Sequence, residues 1–144
     1  MKVHAMLSAK GHEVATTLPE TVISTVIRKL KLEGVGALVV SEDGAHVIGI
    51  ISERDVVRGL AEHGAELLDM RVADLMTKNV KTCSPEDDLK HVMTEMTRSR
   101  IRHLPVTEDG RLCGIVSIGD VVKTRLDELE TETNVLRDYI VGRT

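Results

Sequence analysis

An internal duplication constrains the fold of this chain more than any other feature. Shifting the sequence by 66 residues aligns residues 14–44 with residues 80–110, so that Asp43-Gly44 falls on Asp109-Gly110. After this Asp-Gly pair the shift becomes 65, and "GIISERDVV" aligns with "GIVSIGDVV". A repeat of this length indicates two copies of one supersecondary unit that pack together to bury a common apolar interior.

Each copy predicts the same order of elements, β-α-β-β-α. A short extended piece leads into a helix that begins at "TLPE" or "SPED", where a hydroxyl residue can cap the helix and proline can take its first position. The β-rich runs "VGALVV", "VIGII", "IRHLPV" and "LCGIVS" are joined through Asp-Gly turns, and a second helix begins near Glu53 or Ile118. One unit of about 60 residues would leave half of its apolar surface exposed. We therefore expect an α+β protein with two repeats packed sheet to sheet about a pseudo-two-fold axis.

The duplication also predicts the domain organisation. We expect a first repeat with an N-terminal segment at residues 1–69, a second repeat with a linker helix at residues 70–128, and a C-terminal helical extension at residues 129–144. The likeness of "KVHAML" to "MRVADLM" indicates that one short apolar helix precedes each repeat. The extension has an imperfect apolar stripe, which either folds back on its own repeat or contacts a partner.

The composition argues against several functional classes. The chain has 19 basic and 23 acidic residues, no Trp, no Phe and one Tyr, so we expect neither a basic nucleic-acid surface nor a platform of stacked aromatic rings. No apolar run approaches the roughly 18 residues that span a bilayer, and the first ten residues lack the apolar core of a signal peptide. We expect a cytoplasmic protein with no membrane partner. The two cysteines are not spaced for a metal site and are expected to be buried, reduced thiols.

The repeated Ser-x-x-Asp motif, at Ser52 and Asp55 and again at Ser117 and Asp120, has two interpretations. A serine followed three residues later by an acid, at a strand-to-helix turn, resembles a capping box. The same geometry suits a nucleotide, because a helix N-terminus offers N–H groups to a phosphate and an aspartate can accept two hydrogen bonds from a ribose diol. Both interpretations need the same residues, so the neighbouring residues must separate them.

These neighbours differ between the repeats. Arg54 stands in the first motif where the second has Gly119, and Arg102, followed by His103, stands where the first repeat has Gly36. A pseudo-two-fold axis would let the two arginines and the histidine converge on one anionic group, which helix capping alone does not require. The first two arginines of "TRSRIRH" are instead assigned to a helix end, where cations interact favourably with the helix dipole.

The sequence resembles a tandem pair of CBS domains, the regulatory modules named after cystathionine β-synthase. The resemblance is carried by the repeated Gly-aliphatic-aliphatic-Ser-x-x-Asp, by "GVGALVV" and "IRHLPV" and by the β-α-β-β-α order, and it covers about residues 5–128. "ISERD", "RHLPV" and "SIGD" are most similar to small stand-alone bacterial members. The resemblance implies a disc-like module, commonly a homodimer, with two clefts that bind adenosine-containing ligands. AMP is the first candidate, and ADP, ATP, NAD(H) and S-adenosyl methionine are the others.

The resemblance also assigns the site residues by position. Asp55 and Asp120 would hold ribose hydroxyls, and Ser52 and Ser117 would bind the phosphate or the ribose. The complete predicted set is Lys10, Thr16, Gly36, Ala37, Ser52, Arg54, Asp55, Thr82, Arg102, His103, Leu104, Pro105, Ser117, Ile118, Gly119 and Asp120.

Phosphate contacts are assigned by the same resemblance to Arg54, Arg102 and His103. Lys10 either reaches a second or third phosphate or is an exposed lysine. The two clefts are expected to be unequal, with the Asp120 cleft the more complete because Arg102 and His103 belong to the same repeat.

Adenine would be flanked by Thr16 and Ala37 in one cleft. In the other cleft it would be flanked by Thr82 and the backbone around Leu104 and Pro105.

The motifs of catalysis are missing from the sequence. There is no Walker-type GxxxxGK[ST], no H-E-x-x-H and no GxGxxG after a strand. We expect a non-catalytic regulatory module that senses adenylate charge or redox state and acts on an unidentified partner protein. Two alternatives stay open: a scaffold whose clefts no longer bind, and an enzyme of unrecognised type that uses an adenylate.

Overall fold

The computed structural model describes residues 1–142, so Arg143 and Thr144 of the predicted extension 129–144 lie outside the described residues. The helices are α1 (Val3–Lys10), α2 (Ile23–Glu33), α3 (Glu53–His63), α4 (Val72–Leu75), α5 (Leu89–Ser99) and α6 (Ile118–Ile140), with a 3-10 helix at Gly64–Asp69. The strands are β1 (Thr16–Thr17), β2 (Ala37–Val40), β3 (Gly49–Ser52), β4 (His103–Glu108) and β5 (Arg111–Ser117). The first repeat therefore has the predicted β-α-β-β-α order, and both second helices begin where the sequence predicted them.

Each repeat builds a small sheet around an antiparallel hairpin. β2 pairs with β3 in the first repeat and β4 with β5 in the second, while β1 adds a parallel edge to β2. The counterpart of β1 in the second repeat is reduced to one parallel bridge between Cys83 and Val106. The β4–β5 hairpin turns at Asp109 and Gly110, which both have positive φ, as an Asp-Gly turn requires. A longer loop joins β2 to β3.

The first helix of each repeat begins later than the sequence predicted. Residues 19–20 and 85–86, within "TLPE" and "SPED", form turns instead of the first helical turn, and Thr17 belongs to β1. Helices α2 and α5 begin after these turns. The residue before each helix is extended because it pairs with a distant segment: Val22 bridges to Arg71, and Asp88 bridges to Lys2. Tertiary pairing therefore overrides the local Pro-containing start signal.

Each of the two short helices, α1 and α4, packs in the core of the repeat that it does not directly precede. α1 precedes the first repeat in the chain, but its Val3, Met6 and Leu7 are buried in the core of the second repeat. α4 precedes the second repeat, but its Val72 is buried in the core of the first. The packing therefore crosses the predicted boundary between residues 1–69 and 70–128, and these boundaries stay a prediction for the organisation of the chain.

Contacts between the repeats locate the axis that relates them. A Cβ added to Gly36 would lie 3.2 Å from the Cε1 atom of the His103 ring, and these two positions are one residue away from being equivalents under the 66-residue shift. Residues that contact their own equivalents, or the direct neighbours of those equivalents, lie near a two-fold axis. The N–H of Leu112 also donates to the carbonyl of Ala45 at 2.7 Å, from the second repeat to the first. The predicted α+β class, with two repeats about a pseudo-two-fold axis, is confirmed.

Cys83 belongs to the core of the second repeat, and Cys113 packs against this core. Cys83 is buried, and burial, followed by the charge of Asp87, raises the pKa of its thiol to about 12. Cys113 is half-buried, and its Sγ donates to the carbonyl of Val106 at 3.4 Å.

The described residues contain no group of three or more His, Cys, Asp or Glu side chains able to hold a metal ion. None of the helices within residues 1–142 has the length and apolar character needed to cross a membrane.

Candidate functional site

A cleft of about 530 Å³, here named the first cleft, lies at the N-terminus of α3 between the two repeats. Both repeats and the linker contribute side chains to it, so it forms only when the repeats pack together. Its lining residues are Gly36, Ile50, Ser52, Glu53, Arg54, Asp55, Arg58, Thr77, Ser99, Arg100, Ile101, Arg102 and His103. The predicted convergence of Arg54 with Arg102 and His103 is present in this cleft, and their roles as phosphate ligands stay a prediction.

The Ser-x-x-Asp motif of the first cleft caps α3. The Ser52 hydroxyl accepts a hydrogen bond from the Asp55 N–H at 3.3 Å, and Asp55 Oδ2 accepts one from the Ser52 N–H at 2.9 Å. The other carboxylate oxygen, Oδ1, is approached by the Thr77 hydroxyl at 3.4 Å. The capping interpretation is thus confirmed, and one oxygen of Asp55 remains weakly engaged on the cleft side.

Four guanidinium groups line the same cleft: Arg54 and Arg58 from α3, and Arg100 and Arg102 from the segment after α5. Within residues 1–142 none of them lies within 4.0 Å of a carboxylate. Arg54 Nη1 donates a hydrogen bond to the Arg100 carbonyl at 3.4 Å. Unpaired arginines at a cleft are suited to phosphate, which a guanidinium can bind with two parallel hydrogen bonds.

The backbone of Arg100 is in the left-handed helical conformation, with φ 54° and ψ 41°. Under the 66-residue shift its equivalent is Gly34, which ends α2 with φ 64°. Glycine adopts this conformation without steric cost, whereas a residue with a side chain incurs strain of about 1 kcal/mol. The second repeat therefore has an arginine at the cleft in a position where glycine would be more stable.

His103 lies at the junction of the two repeats beside Glu53. Burial, followed by the positive charge of Lys10, lowers the pKa of the imidazole, and the acidic Glu53 and Asp120 only partly oppose this shift. The ring is therefore neutral at pH 7 and can donate one hydrogen bond without adding charge. Gly36 leaves space for both side chains, because a Cβ there would lie 2.8 Å from Glu53 Oε1.

The second Ser-x-x-Asp motif caps α6 in the same way, but its aspartate is paired with Lys10. The Asp120 N–H donates to the Ser117 hydroxyl at 3.1 Å, and Lys10 Nζ donates to Asp120 Oδ2 at 2.5 Å. Burial alone would raise the pKa of Asp120, but the hydrogen bonds from Lys10 and Ser117 outweigh it and lower the pKa. Gly119 has no side chain to contribute beside this motif. Lys10 therefore contacts the carboxylate assigned to ribose.

The expectation that the Asp120 cleft is the more complete one needs correction. Arg102 and His103 follow α5 in the second repeat, but they line the first cleft with Asp55. These second-repeat residues reach the first cleft because the pseudo-two-fold axis brings the start of β4 against the N-terminus of α3. The cations are thus concentrated in the first cleft.

The residues predicted to flank adenine lie outside the lining of the first cleft. Thr82 and Leu104 line a separate pocket of about 240 Å³. The Thr16 carbonyl accepts a hydrogen bond from Lys29 Nζ, and Ala37 is buried at the start of β2. These side chains are not among those that line the first cleft, so their assignment to adenine stays a prediction.

Two other members of the predicted set belong to the interior of the second repeat. Pro105 lies in the buried part of β4, and Ile118, the first residue of α6, is partly buried against the second core.

Several residues of the first cleft were not predicted. Arg58 had a detectable signal, because it follows Arg54 by four residues and so shares its face of α3. Arg100 does end a helix, as expected, but it also lines the cleft. Thr77 comes from the linker, which lies outside the aligned repeats, so no sequence signal pointed to it. Glu53 was predicted only as a helix start.

Comparison with known proteins identifies the fold and the family. The family model of the CBS domain matches residues 10–62 and residues 72–127, which together exceed half of the chain. The chain belongs to the CBS domain family. Both matches fall on the duplicated units, so the resemblance predicted from "GIISERD" and "GIVSIGD" is confirmed.

Individual CBS proteins are similar over most of the chain. CBS domain-containing protein CBSX3, mitochondrial, of Arabidopsis thaliana is 39% identical over 139 residues, which cover 94% of this chain and 67% of that protein. The crystal structure of the CBS-domain containing protein ATU1752 from Agrobacterium tumefaciens is 44% identical, with a TM-score of 0.84, and the match covers 87% of this chain and 99% of that one. The CBS domain pair of protein MJ0100, in complex with 5-methylthioadenosine and S-adenosyl-L-methionine, has a TM-score of 0.78 and covers 89% and 98%. At 24% identity it shows a shared fold.

Proposed function

We propose that this CBS pair is a regulatory module that binds an adenine nucleotide in the first cleft. Asp55 would accept hydrogen bonds from the ribose diol, and the phosphates would lie among Arg54, Arg58, Arg100 and Arg102. The observation that carries the proposal is the convergence of these four arginines, from both repeats, on the cleft that contains Asp55; none of them has a carboxylate partner within residues 1–142. Two carboxylates and four guanidiniums give the cleft wall a positive charge, which favours an anionic ligand.

Several observations support a nucleotide over a simple anion. The cleft volume of about 530 Å³ falls within the range typical of small-molecule sites, about 300–1,000 Å³. Ile50 and Ile101 line it beside the polar groups, so an adenine would lie against aliphatic side chains. A CBS pair with the same fold, MJ0100, has been seen with two adenosyl compounds, which supports the adenosine class in general.

The two clefts would bind with unequal affinity. In the first cleft Asp55 Oδ1 has a single long contact, at 3.4 Å from the Thr77 hydroxyl. At the Asp120 motif of the second repeat, Lys10 Nζ donates to Asp120 Oδ2, the oxygen that also accepts from the Ser117 N–H, and to the Ile115 carbonyl. A ribose diol that uses both oxygens of Asp120 must therefore compete with the Lys10 ammonium. We therefore propose that the first cleft fills first, and that AMP, ADP, ATP and NAD(H) are candidates for it.

The regulatory role concerns another protein and not a reaction of the nucleotide. Ligand binding between the repeats would favour one arrangement of the two repeats over others, because the ligand contacts residues of both. The partner protein, the homodimeric state and the cytoplasmic location are proposals. The relative CBSX3 is described as mitochondrial.

Calorimetric titration of the full chain tests the proposal. Adenosine, AMP, ADP, ATP and NAD are titrated into the wild type, into Arg102→Ala and into Arg28→Ala, which removes an exposed arginine of α2 outside the cleft. We expect Arg102→Ala to weaken AMP binding by roughly tenfold or more and adenosine binding much less, because a hydrogen bond to a charged group contributes about 1.5–3 kcal/mol. Arg28→Ala should bind like the wild type.

The alternatives give different results. Failure of every adenine ligand to bind would favour a non-binding scaffold. Equal weakening of AMP and adenosine in Arg102→Ala would refute the phosphate role of Arg102. Turnover of a bound nucleotide, lost in Asp55→Ala or Asp120→Ala, would favour an enzyme.

A further inference from the structure

The second half of α6 extends away from the second repeat. Val121 is the buried residue of this helix, and Glu128 is the last partly buried one. Every residue from 129 to 140 is exposed. An isolated helix of about 12 residues is only marginally stable in water. This segment therefore needs a further surface to stabilise it.

Five of the seven exposed large apolar residues described in α6 follow the spacing of a coiled coil, and Val135 and Tyr139 lie outside it. Starting at residue 122 the five recur at intervals of four, three, seven and four, with Thr133 at the intermediate position of the longest interval. This spacing matches alternating d and a positions of a heptad, and we name these residues the α6 seam. The α6 seam consists of Val122, Leu126, Leu129, Thr133, Leu136 and Ile140.

The α6 seam is accessible along its whole length. The exposed fraction is 43% at Val122, 61% at Leu126, 59% at Leu136 and 74% at Ile140. The buried Val121 lies on the side of the helix that packs on the second repeat, so the fold of a single chain does not cover the α6 seam.

We propose that the α6 seam forms a parallel, two-stranded coiled coil with the same seam of a second copy of this chain. The charges beside the seam select this occupant and this orientation. In a parallel coiled coil, a g residue faces the e residue five positions later on the other helix. Glu132 is at g and Arg137 is at e, so the dimer contains two symmetric Glu132–Arg137 pairs of opposite charge.

The antiparallel arrangement is disfavoured by the same residues. Aligning the apolar layers in opposite directions pairs Leu129 with Thr133 and Leu126 with Leu136 of the second copy. That alignment places Glu130 beside Glu130 of the second copy, and Glu132 beside Glu132. Like charges at these flanking positions are repulsive. The seam is therefore complementary to itself in the parallel direction, as a two-fold symmetric dimer requires.

Sedimentation equilibrium of the full chain tests the seam with two adjacent substitutions. Leu136→Glu places a charge in the α6 seam, whereas Val135→Glu places the same residue one position away, at a side chain that is 65% exposed. We expect a wild-type dimer whose dissociation constant rises roughly a hundredfold in Leu136→Glu, because two buried leucines are lost. Val135→Glu should dimerise like the wild type. A monomeric wild type, or a dimer equally affected or unaffected by both changes, would overturn the proposal.

Charge exchange and cross-linking test the parallel direction. Glu132→Arg and Arg137→Glu should each weaken the dimer by roughly twofold to tenfold, and the double variant should recover the wild-type dissociation constant. Ile140→Cys should form a disulfide-linked dimer on mild oxidation, with the wild type and its native cysteines as control. In the antiparallel arrangement the two introduced cysteines lie at opposite ends, so a dimer that fails to cross-link would refute the parallel orientation.

Discussion

Lys10 Nζ lies 2.5 Å from Asp120 Oδ2 and 2.7 Å from the carbonyl oxygen of Ile115. This contact joins the last residue of α1 to the first turn of α6, across 110 positions of the chain. In the first repeat the carbonyl of Ile50, the equivalent of Ile115, is bound by the N–H of Thr77 at 2.9 Å. A side-chain cation thus takes the place of a backbone donor in one of the two otherwise similar units. As a result, the aspartate of the second motif has a lysine ammonium as partner, whereas that of the first has the Thr77 hydroxyl.

Removing the ammonium should make the second aspartate available. In Lys10→Ala we expect the stoichiometry of ADP binding, measured by calorimetry, to rise from one nucleotide per chain to two, because the ribose no longer competes with Lys10. Lys2→Ala is the matched control, since Lys2 also belongs to the N-terminal segment but pairs with Glu86, at 3.0 Å, instead of with a motif aspartate. Two outcomes would contradict the proposed competition: a wild type that already binds two nucleotides per chain, or a Lys10→Ala variant whose stoichiometry equals that of the wild type.

The same contact predicts a pH dependence of stability. The pKa of Asp120 is lowered in the folded protein, so the contribution of the Lys10–Asp120 pair is complete above the ordinary aspartate pKa of about 3.9 and is lost as pH falls through the lowered value. The free energy of unfolding of Lys10→Ala should therefore lie below that of the wild type by up to about 1 kcal/mol from pH 5 to 7, because the pair is partly exposed. The difference should shrink below about pH 4. Urea denaturation at pH 7, 5, 4 and 3 measures it, and a difference that persists undiminished at pH 3 would refute this account.

The parts of the fold that depend on local sequence were predictable. The caps at Ser52 and Ser117, the Asp109-Gly110 hairpin and the second helices follow from residues within a few positions of one another. The starts of α2 and α5 were predicted too early, because Val22 and Asp88 pair with segments remote in sequence. Local capping signals cannot register such a pairing.

The parts that depend on the relation of the two repeats were only partly predictable. The duplication implied that Arg54 and Arg102 converge, because a pseudo-two-fold axis follows from two equal units. It did not indicate which short helix enters which core, since α1 and α4 have similar apolar patterns and each fits either site. Consequently the pairing of Lys10 with Asp120, and the place of Thr77 in the first cleft, could not be read from the sequence.

The packing of α1 in the core of the second repeat explains why the second motif begins with a glycine, Gly114, the equivalent of Gly49. A Cβ added to Gly114 would lie 2.8 Å from both Cδ atoms of the buried Leu7. We expect Gly114→Ala to lower the free energy of unfolding by about 1–3 kcal/mol through overpacking. In a Leu7→Ala background the same change should cost much less, because the clashing methyl groups are gone. Denaturation of the four proteins of this cycle measures the coupling, and equal costs in both backgrounds would show that α1 does not pack on Gly114.

Arg100 offers a direct test of whether strain is retained for function. Its left-handed backbone corresponds to Gly34 in the first repeat, so Arg100→Gly should raise the free energy of unfolding by up to about 1 kcal/mol by relieving the strain. The same change removes a guanidinium from the first cleft and should weaken ADP binding roughly tenfold.

Asp109 is the matched control for this change, because its φ of 52° is nearly the same and it lies in the β4–β5 turn outside the first cleft. Asp109→Gly should therefore stabilise the fold without changing ADP affinity. Thermal denaturation and calorimetric titration of both variants separate the two effects. If Arg100→Gly stabilised the protein and bound ADP as the wild type does, the strained arginine would have no part in ligand binding, and the positive wall of the first cleft would reduce to Arg54, Arg58 and Arg102.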